Sequence, residues 1–368
     1  MWLKFDYILM ITVMGLTVMG LVILPSALIG LANPTIKIIM QIVCFILGMG
    51  IAVLLSNIDY IIFKHIAIFF YAANILMMLL VYTPLGIDMY GSRRWLDLGL
   101  ITYQPSELLK LATIIMVAVC LEDMKQDKGR TLYNIGRIGF FFAIPLGLVI
   151  LQKDLGTTLV FLIFFIIMLF VAGLKLRYFA VTAVSFAVII PFVWRFVLND
   201  ARKNRILFFL SPEKDPQGAG FQALNAKNAI GSGQLLGKGI GNGPMNNAGV
   251  VPVKESDFII SVIGEELGFI GCMVIVMLFF ILLLRVIRIS QKSSDHFGKY
   301  VAIGIFAVFM FHFFENIGMN IGMMPITGIP LPFISSGGSA LLTNFVSIGV
   351  LLSISARRKN EGYFGEEA

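Results

Sequence analysis

Apolar stretches of roughly 20 residues recur along the whole chain, and this repetition limits what the chain can fold into. Hydrophobic residues make up 58% of the 368 positions and charged residues 13%. A soluble domain carries about twice that charged fraction. A helix of about 20 residues crosses the hydrocarbon core of a bilayer and satisfies its own backbone hydrogen bonds. The sequence therefore predicts an all-α polytopic membrane protein.

We predict ten transmembrane helices in a single transmembrane domain, 1–368. The predicted spans are residues 7–25, 36–55, 62–82, 105–121, 139–152, 155–173, 179–197, 258–284, 300–322 and 338–356. A long loop, 198–257, separates the seventh span from the eighth, and a short tail, 357–368, follows the tenth. The first run has no small-residue cleavage site, so we interpret it as a retained helix rather than a signal peptide.

Lysine and arginine are divided unequally between the two sides of this arrangement. The side that carries both termini has Lys4, Lys64, Lys125, Lys128, Arg130, Arg137, Lys175, Arg177, Arg285, Arg288, Lys292, Lys299, Arg357, Arg358 and Lys359. The short loops on the other side have Lys37, Arg93, Arg94 and Lys153. Because basic short loops stay in the cytoplasm, whereas long loops cross largely regardless of charge, both termini are expected to be cytoplasmic and the 198–257 loop extracytoplasmic.

The sequence supports neither a cysteine-based site or framework nor a nucleic-acid-binding surface. Cys44, Cys120 and Cys272 all lie in apolar runs, and their spacing fits neither a zinc site nor a disulfide framework. The net charge is +7, but no basic stripe with interleaved aromatic residues accompanies it, so nucleic acid is not an expected partner.

Ionisable residues concentrate on the predicted outer side. In "QPSELLK" (104–110), Glu107 and Lys110 are i,i+3 neighbours near the start of a span. They form either a functional pair or a self-satisfied ion pair. In "LQKDLGTT" (151–158), Asp154 sits in a break between two apolar runs, where it lines a cavity or caps the next helix.

The long loop contains "NAIGSGQLLGKGIGNGP" (228–244), which superficially resembles a phosphate-binding loop. Ser232 stands where that motif requires its first glycine, and Gly239 follows Lys238 in place of Ser or Thr. Turn formation by the glycines is the favoured interpretation. Backbone this rich in glycine could also approach a sugar or a phosphate closely.

A polar helix face runs through "FHFFENIGMNIGM" (311–323), which has His312, Glu315, Asn316 and Asn320 at helical spacing. Hydrogen bonding between helices is favoured over a metal site, because the second copy of the His-x-x-Glu motif that a dimetal site needs is absent. The metal ligands, if any, are therefore unknown.

Asp257 lies where the long loop enters the eighth span. It could cap the helix or act as a general base at the membrane surface. Glu265 and Glu266 lie two to three turns deeper, where at least one of them must face the bundle and find a partner.

Six ordered motifs resemble the SEDS family (shape, elongation, division and sporulation), whose members include RodA and FtsW. They are "GSRRWLDLG" (91–99), "QPSELLK" (104–110), "DLGT" (154–157), "AIGSGQLLGKG" (229–239), "SDFIISVIGEELGFIG" (256–271) and "NIGMNIGMMPITGIPLPFISSGGSALL" (316–342). "DLGT" and "GIPLPF" favour RodA. Lys153 and Ser336 depart from the family pattern, which usually has Pro and Tyr there.

The resemblance implies a peptidoglycan glycosyltransferase of the bacterial cytoplasmic (inner) membrane that polymerises lipid II, its donor and acceptor. It also implies a class B penicillin-binding protein transpeptidase as partner, within the elongation or division machinery.

The essential family Asp corresponds to Asp257, and Arg94, Glu107, Lys110 and Asp154 match polar cavity positions. We add Lys238 as a candidate pyrophosphate contact, and Mg²⁺ or Mn²⁺ as a possible cofactor. One base and one displacement predict inversion. A lipid II flippase and a scaffold of the division or elongation machinery are the alternatives.

Overall fold

The computed structural model describes residues 5–358, except 90–91, 98, 100–101, 127–130 and most of 176–217. In these residues the helices are α1 (Tyr7–Ala27), α2 (Pro34–Asn57), α3 (Ile61–His65), α4 (Ala67–Leu80), α5 (Pro105–Gln126), α6 (Thr131–Leu151), α7 (Leu155–Val171), α8 (Ala219–Ser232), α9 (Pro244–Asn247), α10 (Ile259–Gln291), α11 (His296–Asn320) and α12 (Gly338–Ala356). The predicted seventh span, 179–197, and the first part of the 198–257 loop lie mostly outside the described residues. The predicted 62–82 span is divided between α3 and α4, and α6 begins at Thr131, eight residues before the predicted 139–152 span. Each of the other predicted spans corresponds to one helix.

Six of the described helices are long and apolar enough to cross a membrane, namely α1, α2, α6, α10, α11 and α12. The helices α4 and α7 are shorter and also apolar. In contrast, α5 contains Glu107 and Lys110, yet it is buried along most of its length against α4, α6 and α11. Its polar groups therefore meet protein rather than lipid, as an intramembrane charge requires.

The ends of the described helices collect at two faces. One face holds the starts of α5, α7 and α10, and we call it the Asp257 face. On the opposite face, where α10 ends, Arg285 pairs with Asp6 at the start of α1 and Lys64 pairs with Glu122 near the end of α5.

The helix α10 is broken at Gly268, whose φ of 67° and ψ of −164° are non-helical. Residues 234–239 lie along the break, where the Phe269 N–H donates to the Gln234 carbonyl at 2.8 Å and the Lys238 N–H donates to the Glu265 carbonyl at 3.0 Å. A Cβ at Gly268 would collide with the backbone of Gly237. The long loop thus satisfies the backbone groups that the break releases.

A small antiparallel sheet lies between α4 and α5, which the sequence analysis does not anticipate. It consists of β1 (Gly86–Met89), β2 (Ser92–Asp97) and β3 (Thr102–Tyr103), in the order β1-β2-β3. The strands are short and their pattern of apolar residues is weak, so the sequence gives little signal for them. The sheet carries Arg94 on the Asp257 face.

Candidate active site

Asp257 occupies the last turn of the long loop, directly before α10. The helix begins at Ile259 and its N-cap is Phe258, a buried residue that packs against Met319. Asp257 therefore stands one residue before the N-cap position. The residue is partly buried and lies on the Asp257 face.

The backbone of Asp257 is fixed by two asparagines of α11. The side-chain amides of Asn316 and Asn320 donate to the Asp257 carbonyl at 2.9 and 3.0 Å. At the side chain, the Ser256 hydroxyl donates to Asp257 Oδ1 at 3.0 Å. The polar face of α11 thus makes hydrogen bonds between elements, as the sequence favours, and positions a carboxylate.

The loop of residues 327–331, which follows α11, connects the polar groups of the site. Gly328 lies against Asp257, since a Cβ built on it would be 3.3 Å from Asp257 Oδ2. The Ile329 carbonyl accepts from the Asn316 amide at 2.8 Å, and the Thr327 hydroxyl donates to Glu315 Oε1 at 2.8 Å. The loop therefore contacts both the polar face of α11 and the Asp257 carboxylate.

Asp154 caps α7, one of the two roles that the sequence left open, and also pairs with Arg94. Its Oδ1 accepts from the Thr157 N–H at 3.1 Å and caps α7, while its Oδ2 pairs with Arg94 at 2.8 Å. The neighbouring Gly156 packs against residues 327–329 because a Cβ there would meet the Thr327 carbonyl at 2.9 Å. Arg94 keeps 24% of its side chain exposed, so this cation remains open to a ligand.

Lys110 is held in a buried polar cluster. Its ammonium lies 3.0 and 3.1 Å from the two carboxylate oxygens of Glu107 and 3.2 Å from Nε2 of His312. The other ring nitrogen of His312 lies 3.1 Å from the Pro330 carbonyl, so Nδ1 carries the hydrogen and Nε2 accepts from Lys110. Burial and three polar contacts favour the ion-pair alternative for this residue.

Two cavities of about 10 Å³ adjoin Glu107. Each is large enough for about one water molecule. One is lined by Thr343 and Ser347, the other by His312 and Ser335. Neither of these two cavities has room for a sugar ring.

Lys238 stands apart from these contacts. Its side chain is exposed, and its backbone belongs to the 234–239 segment that lies along the break at Gly268. Its proposed contact with pyrophosphate stays a prediction. The positive φ angles of Gly237, Gly239 and Gly241 are consistent with the turn-forming role of this glycine-rich stretch.

Glu265 and Glu266 hold the long loop to α10. Glu265 accepts from the N–H groups of Met245 and Asn246 at 2.7 and 2.9 Å. Glu266 accepts from the Ser26 hydroxyl and, at 2.9 Å, from the Asn246 side chain. The two glutamates thus anchor, through hydrogen bonds, the loop that leads to Asp257.

Lys254 adds a further hydrogen bond within this loop by donating to the Asn246 carbonyl at 2.6 Å. Burial lowers the pKa of Lys254 below its ordinary value, although Glu255, Glu266 and Glu265 act in the opposite direction. Desolvation thus outweighs the nearby carboxylates at this position.

A family model described as "cell cycle protein", for FtsW, RodA and SpoVE, matches residues 6–360. The chain belongs to this family. Among FtsW/RodA/SpoVE relatives, the peptidoglycan glycosyltransferase MrdB of Escherichia coli K12 is 35% identical over 85% of this chain and 84% of its own. The probable peptidoglycan glycosyltransferase FtsW of Trichlorobacter lovleyi is 36% identical over 99% of this chain and 97% of its own.

A solved structure of the same family has the same fold. The solved chain superposes on our protein with a TM-score of 0.82 at 29% identity. It comes from work on the structural coordination of polymerization and crosslinking by a peptidoglycan synthase complex. The match covers 96% of our chain and 98% of the other. The predicted family and the polytopic all-α fold are confirmed.

The described carboxylates of the site are dispersed and do not form a metal cage. Among the described residues, no three His, Cys, Asp or Glu side chains come together as a metal-binding group. Asp154 and Glu107 each pair with a cation instead. A cage made of protein ligands alone does not fit these residues, and we derive no step through a metal ion.

Proposed function

We propose that this protein is a peptidoglycan glycosyltransferase that polymerises lipid II into glycan strands at the outer face of the cytoplasmic membrane. One observation carries the proposal: Asp257, a partly buried residue, lies at the loop-to-helix junction, with its backbone fixed by Asn316 and Asn320. A fixed carboxylate at a membrane surface suits the removal of a proton from an attacking hydroxyl. The glycosyltransferase names of the two relatives support this chemistry.

The reaction needs one base and one leaving group. The acceptor hydroxyl of one lipid-linked disaccharide attacks the anomeric carbon of another, and its proton passes to Asp257. The carbon–oxygen bond to pyrophosphate breaks as the glycosidic bond forms, and polyprenyl pyrophosphate leaves with the electron pair. A positioned base accounts for about 10²–10⁴ in rate.

Arg94 is the cation best placed to meet the pyrophosphate. Its guanidinium is partly exposed and held by Asp154, and guanidinium groups bind phosphate oxygens in a bidentate manner. Lys110 is buried and has three polar contacts. We therefore assign leaving-group stabilisation to Arg94 and support of the site to Glu107 and Lys110.

The stereochemical outcome follows from the neighbouring carboxylates. Asp154, Glu107 and Glu255 each pair with a cation in the described structure. A retaining route needs a second carboxylate as nucleophile, and an ion-paired carboxylate is a weak one. A single displacement with inversion at the anomeric carbon fits this arrangement.

The cellular setting extends the same proposal. Both termini are cytoplasmic, and the partner is a class B penicillin-binding protein transpeptidase, a pairing that the similarity to a chain of a peptidoglycan synthase complex supports. We assign the protein to elongation and cell shape. A requirement for Mg²⁺ or Mn²⁺ stays a prediction, to be tested by chelation and metal add-back.

Purified protein supplied with labelled lipid II tests the proposal, with glycan polymer resolved on a gel with and without the partner. We expect polymer with an inverted linkage. Lipid II that moves between vesicle leaflets without forming polymer would contradict the proposal and point to a flippase. Partner recruitment with neither activity would point to a scaffold.

A further inference from the structure

A cationic cavity of about 310 Å³ opens at the face opposite Asp257. Its polar lining includes Arg285, Arg288, Lys292 and Arg358 together with Asp6, the one carboxylate among the described residues that line it. Arg285 makes a two-point contact with Asp6, at 2.6 and 3.2 Å. The remaining cations leave the cavity with a positive field, and its volume lies at the lower end of the range of small-ligand sites, about 300–1,000 Å³.

A buried hydroxyl also lines this cavity. Ser355 is 1% exposed, and its Oγ has no hydrogen-bond partner within the described part of the chain. A buried polar atom without a partner is costly, so the cavity offers an unused hydrogen bond beside its cations. This combination suits an oxyanion, which accepts from both a hydroxyl and a guanidinium.

An apolar stripe on α10 leads to the same cavity. Met277, Ile281 and Leu284 are 66%, 37% and 38% exposed. With Arg288 they follow the spacing i, i+4, i+7 and i+11, which places them along one side of the helix. The stripe lies on the part of α10 expected within the membrane, and it ends at the cationic cavity.

We propose that this cavity binds the phosphate of an anionic phospholipid, with an acyl chain lying along the stripe. Arg288 and Arg358 contact the phosphate oxygens, and Ser355 donates its unused hydrogen bond. The stripe selects a lipid over free phosphate or an acidic peptide, because neither of those needs an apolar surface at membrane depth. The site is separate from Asp257 and does not rest on the glycosyltransferase proposal.

Native mass spectrometry of the full-length protein tests this site, with phosphatidylglycerol and phosphatidylcholine titrated separately. We expect saturable binding of phosphatidylglycerol. Arg288→Gln/Arg358→Gln lowers that affinity about tenfold or more, since each loses a charge-assisted hydrogen bond. The control Lys125→Gln/Lys175→Gln removes two exposed cations outside the cavity and changes the affinity less than about twofold.

Three results would overturn the site: equal loss in the two double variants, equal binding of phosphatidylcholine, or displacement of phosphatidylglycerol by inorganic phosphate or an acidic peptide at matched concentration. Ser355→Ala gives a further test that does not depend on charge. It removes an unpaired buried hydroxyl, so the protein without added lipid should melt at the same or a higher temperature, while phosphatidylglycerol binds less tightly. Unchanged binding by Ser355→Ala would contradict the assignment of its hydroxyl.

Discussion

The side-chain amide of Asn316 joins two segments of the site by donating to the backbone carbonyl of Asp257 at 2.9 Å. The same amide donates to the Ile329 carbonyl at 2.8 Å. One buried side chain thus sets the distance between the candidate base and the 327–331 loop. Asn316 is a positioning residue because it acts through Asp257.

Asn316→Ala should therefore reduce activity and stability together. The Ile329 carbonyl loses its amide partner, at about 1–3 kcal/mol, while the Asp257 carbonyl keeps only the amide of Asn320. Displacement of a catalytic group costs up to about 10²-fold in rate. Polymerisation of labelled lipid II and thermal unfolding measure the two effects. Asn57→Ala is the matched control, since the exposed Asn57 amide contacts only the Val53 carbonyl of its own helix in the described structure. A fully active Asn316→Ala would remove this residue from the account.

Gly328 and Gly322 provide a second matched pair. Their φ angles are +74° and +75°, so alanine at either position has a similar backbone strain of about 1–2 kcal/mol. A new Cβ at Gly328 would lie 3.3 Å from Asp257 Oδ2, whereas Gly322 faces open space. We expect similar melting temperatures for the two variants and a loss of polymerisation of about tenfold or more only in Gly328→Ala. Equal activity would show that the carboxylate does not depend on this loop.

Variants of the Glu107–Lys110 pair distinguish a structural role of these residues from a catalytic one. Each single change, Glu107→Gln or Lys110→Met, leaves a buried charge without its partner and should cost about 3–5 kcal/mol. The double variant should be more stable than either single variant and should recover polymerisation. The partly exposed pair Asp123–Arg137 is the control, because removal of one of its partners should cost only about 0–1 kcal/mol. A folded but inactive double variant would return Lys110 to pyrophosphate binding.

The orientation of the Asp257 face can be tested by labelling intact cells. Cys44, Cys120 and Cys272 are free thiols, so the background first replaces them with alanine. A membrane-impermeant thiol reagent should label Cys introduced at the exposed Asn242 from outside, and Cys introduced at Gln291 only after permeabilisation. The opposite pattern would reverse the topology and remove the extracytoplasmic site.

The spans could be predicted because apolar length is a local property of the sequence. The predicted 105–121 and 338–356 spans match α5 and α12 closely. The eighth span was predicted to end at residue 284, whereas α10 continues to Gln291 because its last two turns carry Arg285 and Arg288 to the membrane surface.

The contacts of the site could be predicted only in part. The Glu107–Lys110 pair follows from helical spacing. The contacts of Lys110 with His312 and of Gly328 with Asp257 join residues far apart in sequence. Such pairs depend on how the helices pack, which no local pattern encodes. Gly328 had one local signal, its position in "TGIPLP", where a glycine before an apolar turn indicates unusual backbone geometry.

The rate of lipid II polymerisation by Asp257→Asn tests the central claim most directly. Asn keeps the size of the side chain and can still accept from the Ser256 hydroxyl, but it cannot take up a proton at neutral pH. We expect normal membrane abundance and melting, with polymerisation reduced by about two or more orders of magnitude. Asp88→Asn, an exposed carboxylate change on the same face, should leave the rate unchanged. Near wild-type polymerisation by Asp257→Asn would contradict the account, and Asp154 and Glu107 would be the next candidates for the base.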